Sequence, residues 1–285
     1  MSGNKKKIAV MGFPIKHSLS PTIHNYWLKK NNINGSYTTI KTPLNKLEKT
    51  ITTLCNKDYI GVNLTIPLKE QAVKLLDKTD SIVNFTKAVN TLVFHKNKFV
   101  EGRNTDVIGF KNSLLESSKS KIREKAIIIG NGGAARAILY CLIKLKYKHI
   151  VVCARTKKKS EQLKKDMEKF KFKNSRIKIF FKNIKNLEKE SKKTNLLVNA
   201  TPLGMKGFPD LSFSLNELDK QALVFDIVYN PLETALLNKA KKKGNKTING
   251  LKMLLYQAQE SFKIWFDKKP KITKLLEKIL IKEIK

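Results

Sequence analysis

In the stretch "PIKHSLSPTIH", residues 14–24, two hydroxyls stand one residue apart ahead of a proline. Ser20 before Pro21 has the form of a helix N-cap followed by proline at the first helical position. Ser18 and Ser20 also share the period of two that points extended side chains one way, and a helix N-terminus attracts anions. The pair reads as a cap, as part of an anion site, or as both. In "GVNLTIPLKE" (61–70) a strand runs into Asn63, Thr65 and Pro67 before Lys69 opens a helix. A lysine in a first helical turn opposes the macrodipole at a cost of roughly 0.3–1 kcal/mol when exposed, and such a local inconsistency points to function. In "EGRNTDVIGF" (101–110) a hairpin strand delivers Asp106 to the start of another helix. Taken locally, Asp106 is an N-cap. The helix terminus also favours its ionised form, which suits a lysine partner.

A different chemistry is written in "AIIIGNGGAARAIL" (126–139): a strand, a glycine turn and a helix in that order. Gly130 permits the tight turn, Gly132 lets the backbone approach a pyrophosphate, and Ala135 is the third small residue. The helix then offers unpaired N–H groups to phosphates. The next strand ends "VVCARTKKKS" (151–160), with Arg155 and Thr156 and no acid before Glu161. An NAD site would carry a carboxylate there for the ribose 2′-hydroxyl, whereas this cluster neutralises a 2′-phosphate, so the dinucleotide is NADP.

These residues need elements to hold them. Up to about residue 100, strands at 8–13, 36–41 and 60–66 alternate with helical patterns at 21–31, 44–54 and 69–76, and a hairpin joins 91–95 to 98–101 around Lys96-Asn97. That is an α/β unit with a mostly parallel sheet. After Asp106 the pattern restarts. A helix at 107–115 and the polar stretch "ESSKSKIREK" (116–125) lead to strands at 126–129, 150–154, 177–181, 196–199 and 222–228, with helices at 134–145 and 157–170. This is the succession of a doubly wound, Rossmann-type domain. The tail, 251–285, is helical by period. Its last segment, "KITKLLEKILIKEIK", is amphipathic and basic, the pattern of a helix packed on a domain.

The formal charge of +35 would ordinarily suggest nucleic acid or an anionic membrane. Only five of the 58 basic residues are arginines, and the lysines are spread along the chain, so no specific nucleic-acid reader is indicated. Cys55, Cys141 and Cys153 have no metal-ligand spacing and read as small buried hydrophobes in a reducing compartment. No metal site is expected. The apolar stretch 8–13 is too short for a signal peptide and is closed by Pro14, and no run approaches the roughly 20 residues of a membrane helix. A cytoplasmic protein is expected.

The segments "GFPIKHSLSPTIHN", "GVNLTIPLK", "AVNTL", "GRNTDVIGF", "GNGGAAR", "NATPLGM", "DIVYNPLETALL" and "NGLKMLLYQAQESFKIW" stand in the order found in the shikimate dehydrogenase family, and the chain resembles that family over nearly its whole length. The resemblance implies NADPH-dependent reduction of 3-dehydroshikimate to shikimate, on the route to aromatic amino acids. It implies a substrate domain at 1–106 completed by C-terminal helices at 250–285, a nucleotide domain at 107–249, and an active site in the cleft. Residue by residue, Lys69 and Asp106 match the catalytic pair. Asn63, Thr65, Asn90 and Gln257 match positions that bind ring hydroxyls, and Ser18, Ser20 and Tyr229 those that hold the carboxylate. Gly130, Gly132, Gly133, Ala134, Arg155, Thr156, Ile227 and Gly250 match cofactor positions, the last beside the nicotinamide. The partners implied are a small-molecule substrate and NADP, with no specific nucleic acid and no membrane, in a monomer or homodimer. Four positions depart from the family's usual pattern. Ala154 opens what is commonly Asn-Arg-Thr, Lys87 and Asn131 stand where Gly and Ala are common, and Asn249 replaces a common Asp.

Three other readings stay open on the residues. A quinate/shikimate dehydrogenase using NAD is opposed by the missing acid after the second nucleotide-domain strand and by the Ser-x-Ser pair. A non-catalytic module that senses a dinucleotide would keep the glycine turn and need no lysine chemistry. A nucleic-acid binder would have to bind specific sequences at ~200 mM salt, where purely phosphate-driven attraction fades.

Overall fold

The computed structural model describes residues 5–118, 122–170 and 176–284. The first residues of the chain, part of the polar stretch 116–125 and the last residue of the helical tail lie outside them. Two compact units result, one of Met1–Gly109 with Leu255–Lys285 and one of Phe110–Leu254.

In chain order the first unit holds β1 (Lys6–Gly12), α1 (Ser20–Lys30), β2 (Gly35–Lys41), α2 (Leu47–Cys55), β3 (Tyr59–Leu64), β4 (Lys78–Thr79), α3 (Ser81–Thr86), β5 (Thr91–Phe94) and β6 (Val100–Arg103). They form a six-stranded sheet in the order β2-β1-β3-β5-β6-β4. Only β5 runs against its neighbours. Its start therefore lies at the edge where β1, β3 and β6 end, so one sheet edge collects residues from far apart in the chain. The core beneath is apolar, built from Ala9, Met11, Ile51, Leu64, Leu68, Val89 and Leu92 among others.

The helix α4 (Asp106–Ser117) leads into β7 (Lys125–Ile129), α5 (Gly133–Lys144), β8 (His149–Ala154), α6 (Lys157–Glu168), β9 (Lys178–Asn183), α7 (Leu187–Glu190), β10 (Leu196–Asn199), β11 (Leu223–Asp226), α8 (Ala235–Lys242) and β12 (Lys246–Ile248). These strands form an all-parallel sheet in the order β12-β11-β10-β7-β8-β9. That is the doubly wound order, with its switch point between β7 and β10. Two helices follow, α9 (Leu251–Phe266) and α10 (Lys274–Ile284).

Several local expectations are corrected. The helix expected from Lys69 is a turn followed by a 3-10 segment, Gln71–Leu75. Asp77 cuts it short by pairing with Val100, its N–H donating to the Val100 carbonyl at 2.9 Å and its carboxylate accepting the Val100 N–H at 2.7 Å. A turn and a short 3-10 segment stand there in place of an α-helix, so the macrodipole argument does not apply to Lys69. The hairpin turn is longer than expected, because Asn97 and Lys98 both take left-handed backbone (φ 61° and 62°), and the return strand starts at Val100. The tail forms its C-terminal helices as two separate elements, α9 and α10. Asp267 is left-handed (φ 51°) and Pro270 follows, so α9 stops at Phe266. The connection is pinned by Gln259 Nε2 donating to the Pro270 carbonyl at 2.6 Å and Trp27 Nε1 to the Lys271 carbonyl at 3.1 Å.

Candidate functional site

Ser20 is not the cap. It is the first residue of α1, with Leu19 at the cap position and no side-chain capping bond. The helix starts one residue early, and the Ser18 Oγ accepts the Ser20 N–H at 3.3 Å. Asp106 is not a cap either. Gly109 N–H donates to the Thr105 carbonyl, which puts the Asp106 carboxylate in the first turn of α4. Its own N–H is taken by Asn104 Oδ1 at 3.1 Å.

Asp106 is buried, and both its carboxylate oxygens are engaged within the first unit. Lys69 Nζ donates to Oδ2 at 2.6 Å, and Asn90 Nδ2 donates to Oδ1 at 2.8 Å. Asn90 is fixed in turn, because Thr105 N–H donates to its Oδ1 at 2.8 Å. Gln257, from α9, brings its Oε1 within 3.4 Å of both Asn90 Nδ2 and Thr105 Oγ1. The turn that carries Lys69 is held by the Val89 N–H on the Lys69 carbonyl at 2.9 Å. So β3, β5, β6 and α9 each contribute one wall of a polar cluster.

Asn63, at the end of β3, is tied into the same cluster. Its Nδ2 lies 3.0 Å from the Asn90 carbonyl, Thr91 Oγ1 and Ser261 Oγ. Its Oδ1 accepts from the buried Tyr37 hydroxyl at 2.7 Å. Thr65 follows directly, with its N–H on the Met11 carbonyl and its methyl filling the space beside Gly12. Ser18 is half-buried and Ser20 buried, after β1 at the same sheet edge. Tyr229 is half-buried and belongs to the second unit. Residue patterns alone missed Thr105, Asn104, Ser261 and Tyr37. "GRNTD" is polar throughout and was a signal for the first two; Tyr37 sits in an ordinary strand and gave none.

Under Tyr37 lies His24, stacked face to face at 4.3 Å between ring centroids and 1° between planes. It is fully buried, and neither ring nitrogen has a hydrogen-bond partner among the described residues. Burial pushes its pKa down to about 3, so the ring is neutral. Cys141 and Cys153 are buried too, and burial pushes their thiols up to about 12, so neither is a nucleophile.

In the second unit the glycine turn sits at the switch point. Gly130 has φ +112°, and a Cβ there would stand 2.9 Å from Thr201 Cγ2, beyond the end of β10. Gly132 caps α5 with no side-chain bond, which leaves first-turn N–H groups to a ligand. Gly133 and Ala134 open α5 and are half-buried. Arg155 and Thr156 follow β8 and are exposed, and Thr156 makes no side-chain capping bond to α6. Ile227 and Gly250 are brought together, since a Cβ on Gly250 would stand 1.9 Å from the Ile227 carbonyl oxygen.

The loop bearing Ile227 and Tyr229 hangs on Asp226. Its Oδ1 accepts from Asn199 Nδ2 and the Val228 N–H, both at 3.0 Å, and its Oδ2 from Thr234 Oγ1 at 2.7 Å. Burial raises its pKa to about 6 against the pull of those three donors. No group of acidic, histidine or cysteine residues among the described residues could hold a metal ion. No helix among them is long and apolar enough to cross a membrane.

An open glycine turn at the switch point of a doubly wound sheet, in one chain with an α/β unit that holds a lysine on a buried carboxylate, defines a two-domain dinucleotide-dependent oxidoreductase fold. Family profiles agree segment by segment. Residues 10–92 match the shikimate dehydrogenase substrate binding domain, 113–202 the shikimate/quinate 5-dehydrogenase family, and 250–280 the shikimate 5′-dehydrogenase C-terminal domain. Shikimate dehydrogenase (NADP(+)) of Roseobacter denitrificans is 36% identical over 277 residues, 96% of this chain and 97% of that protein. A crystal structure of shikimate dehydrogenase in complex with NADP+ superposes with TM-score 0.87 at 34% identity, covering 99% of this chain and 96% of that one. The Thermus thermophilus enzyme in complex with NADP(H) and shikimate gives 0.81 at 31%, covering 93% and 95%. The chain belongs to the shikimate dehydrogenase family.

Proposed function

We infer that this chain catalyses the NADP-dependent interconversion of 3-dehydroshikimate and shikimate, and that it does so in the cytoplasm. The observation that carries the reading is the Lys69–Asp106 pair, bonded at 2.6 Å with Asn90 on the other carboxylate oxygen, in a chain of the shikimate dehydrogenase family. The first unit, with its C-terminal helices, is the substrate domain, and the second is the nucleotide domain.

The residues present fit NADP. Gly130 and Gly132 leave room for phosphates, the strand end at Ala154 carries no acid, and Arg155 with Thr156 supplies a cation and a hydroxyl for the 2′-phosphate. When bound, NADPH supplies the hydride that reduces the ketone carbon. Lys69 hydrogen-bonds the ketone oxygen and gives it a proton as charge develops there. Asp106 aims the ammonium group and accepts from a ring hydroxyl. Asn90 and Gln257 hold neighbouring hydroxyls. Asn63 offers the second lone pair of an amide oxygen that Tyr37 has already oriented, and Thr65 adds a hydroxyl. Ser18, Ser20 and Tyr229 take the carboxylate. Gly133 and Ala134 present N–H groups to the phosphates, and Ile227 and Gly250 line the nicotinamide side.

Steady-state rates with shikimate and with quinate, each with NADP and with NAD, test the reading. Shikimate with NADP gives the highest kcat/KM. A preference for quinate and NAD, or no turnover with any pair, overturns it.

A further inference from the structure

We propose that Asn131 is a specificity-positioning residue: its side chain locks the glycine turn to the Arg155–Thr156 segment, and this lock sets the preference for a dinucleotide bearing a 2′-phosphate. The inference rests on the NADP reading above and deepens it.

Asn131 lies between Gly130 and Gly132, yet its polar side chain is buried. Its Nδ2 donates to the Thr156 carbonyl and to the Ser160 Oγ, both at 3.0 Å. Both amide hydrogens are thereby used, and both go to the segment after β8. Ser160 is buried as well, so the Asn131–Ser160 bond is shielded from water, while Arg155 and Thr156 are exposed.

The Thr156 carbonyl is held from two sides. It accepts the Ser160 N–H at 3.2 Å as the first bond of α6, and it accepts Asn131. Fixing that carbonyl fixes ψ of Thr156 at 100° and so the direction in which the Arg155–Thr156 pair faces. Residue 154 is alanine, whose methyl offers no hydrogen bond. The side-chain amide that orders this segment comes from the glycine turn. A second tie runs beside it through the backbone, Gly130 N–H to the Cys153 carbonyl at 2.8 Å. That tie holds the turn to the strand, leaving Asn131 to hold the residues just past the strand's end.

The two halves of the cofactor then depend on Asn131 differently. The pyrophosphate is bound by backbone N–H groups of the turn and α5, which do not need the Asn131 side chain. A 2′-phosphate needs Arg155 and Thr156 already in place, because ordering them at the moment of binding costs affinity. Asn131 is not among the described residues with positive φ, so alanine fits its backbone.

The test is calorimetric titration of the full chain and its Asn131→Ala variant with adenosine 2′,5′-bisphosphate and with 5′-AMP, alongside KM and kcat for NADP and NAD. Losing the two bonds should weaken 2′,5′-bisphosphate binding about tenfold, leave 5′-AMP within about twofold, and lower the NADP-over-NAD ratio in kcat/KM by a like factor through KM. Equal weakening of both nucleotides means a merely structural residue and overturns the proposal, as does an unchanged ratio. A wild-type chain that binds both nucleotides alike removes the NADP reading and this inference with it. Should Asn131→Ala fail to fold, Ser160→Ala removes one acceptor and carries the same test. It should give a smaller loss confined to the 2′,5′-bisphosphate, and an even or absent loss overturns the proposal.

Discussion

Lys69 Nζ lies 2.6 Å from Asp106 Oδ2, joining the turn after β3 to the first turn of α4, 37 residues further along the chain. The lysine side chain is 18% exposed and the aspartate 6%, so the ammonium group is held by a shielded carboxylate and still open to a ligand. Replacing Lys69 by alanine should lower kcat roughly 10²–10⁴-fold, the range of a positioned general acid or base. Asp106→Asn should also lower kcat, since a neutral amide holds an ammonium ion more weakly than a carboxylate does. In both variants the Kd for NADP, measured by fluorescence titration, should stay within about twofold. A joint loss of NADP binding would place the pair outside the chemistry.

Ser18→Ala and Ser20→Ala should each raise KM for shikimate by about tenfold or more, the effect of losing a charge-assisted bond of roughly 1.5–3 kcal/mol. Neither should change KM for NADP. Ser20 makes no capping bond, so losing its hydroxyl should shift the melting temperature by no more than about a few degrees. A fall in melting temperature with KM unchanged would return the pair to a local structural role.

Gly250→Ala puts a methyl carbon 1.9 Å from the Ile227 carbonyl oxygen, a clash with backbone that no rotamer relieves. The chain must part there, at a cost of about 1–3 kcal/mol as for other overpacked sites. Urea denaturation should show that loss, and KM for NADP should rise severalfold. Full stability with normal KM would mean that the close approach of Gly250 to Ile227 is dispensable.

His24 and Asp226 should bend the pH dependence of stability in opposite directions. The folded pKa of His24 is lowered from 6.5 to about 3, so below pH 6.5 the unfolded chain takes up a proton that the folded one refuses. Stability is therefore lost on acidification, by about 1.4 kcal/mol per pH unit at most. The Asp226 carboxyl is raised from 3.8 to about 6, so between those values the folded chain holds the extra proton and stability falls as pH rises. His24→Phe should remove the first slope and steepen the net fall toward pH 6. Asp226→Asn should remove the second and leave the acid loss uncovered. Urea midpoints from pH 4 to 8 for the two variants check both signs, and parallel curves for wild type and variants would refute them.

The primary structure carried the elements that are locally encoded. The glycine turn, the apolar strands at 126–129 and 196–199 and the missing acid before Glu161 define a Rossmann-type unit without any knowledge of contacts. Periodicity gave the helices that present one apolar face to a core, such as α2 and α9. It failed where a distant partner intervenes. Asp77 pairing with Val100 stops a helix at five residues, and two left-handed residues at 97 and 98 lengthen a hairpin.

Residue type and order along the chain set the fold class and nominated Lys69, Asp106 and the serines, because turn chemistry, hydrophobic period and helix termini act over a few residues. Tertiary packing decided what those side chains do with their hydrogen bonds. Asp106 could have capped its helix, and Ser20 its own. Instead the single antiparallel strand β5 brings Asn90 to the edge where β3 and β6 end, and the carboxylate is taken up by Asn90 and Lys69. Likewise Asn131 and Thr156 are 25 residues apart and meet only because β7 and β8 lie side by side. A hydrogen bond needs its partner within about 3 Å, and that proximity across the chain is set by sheet order, which no local window contains.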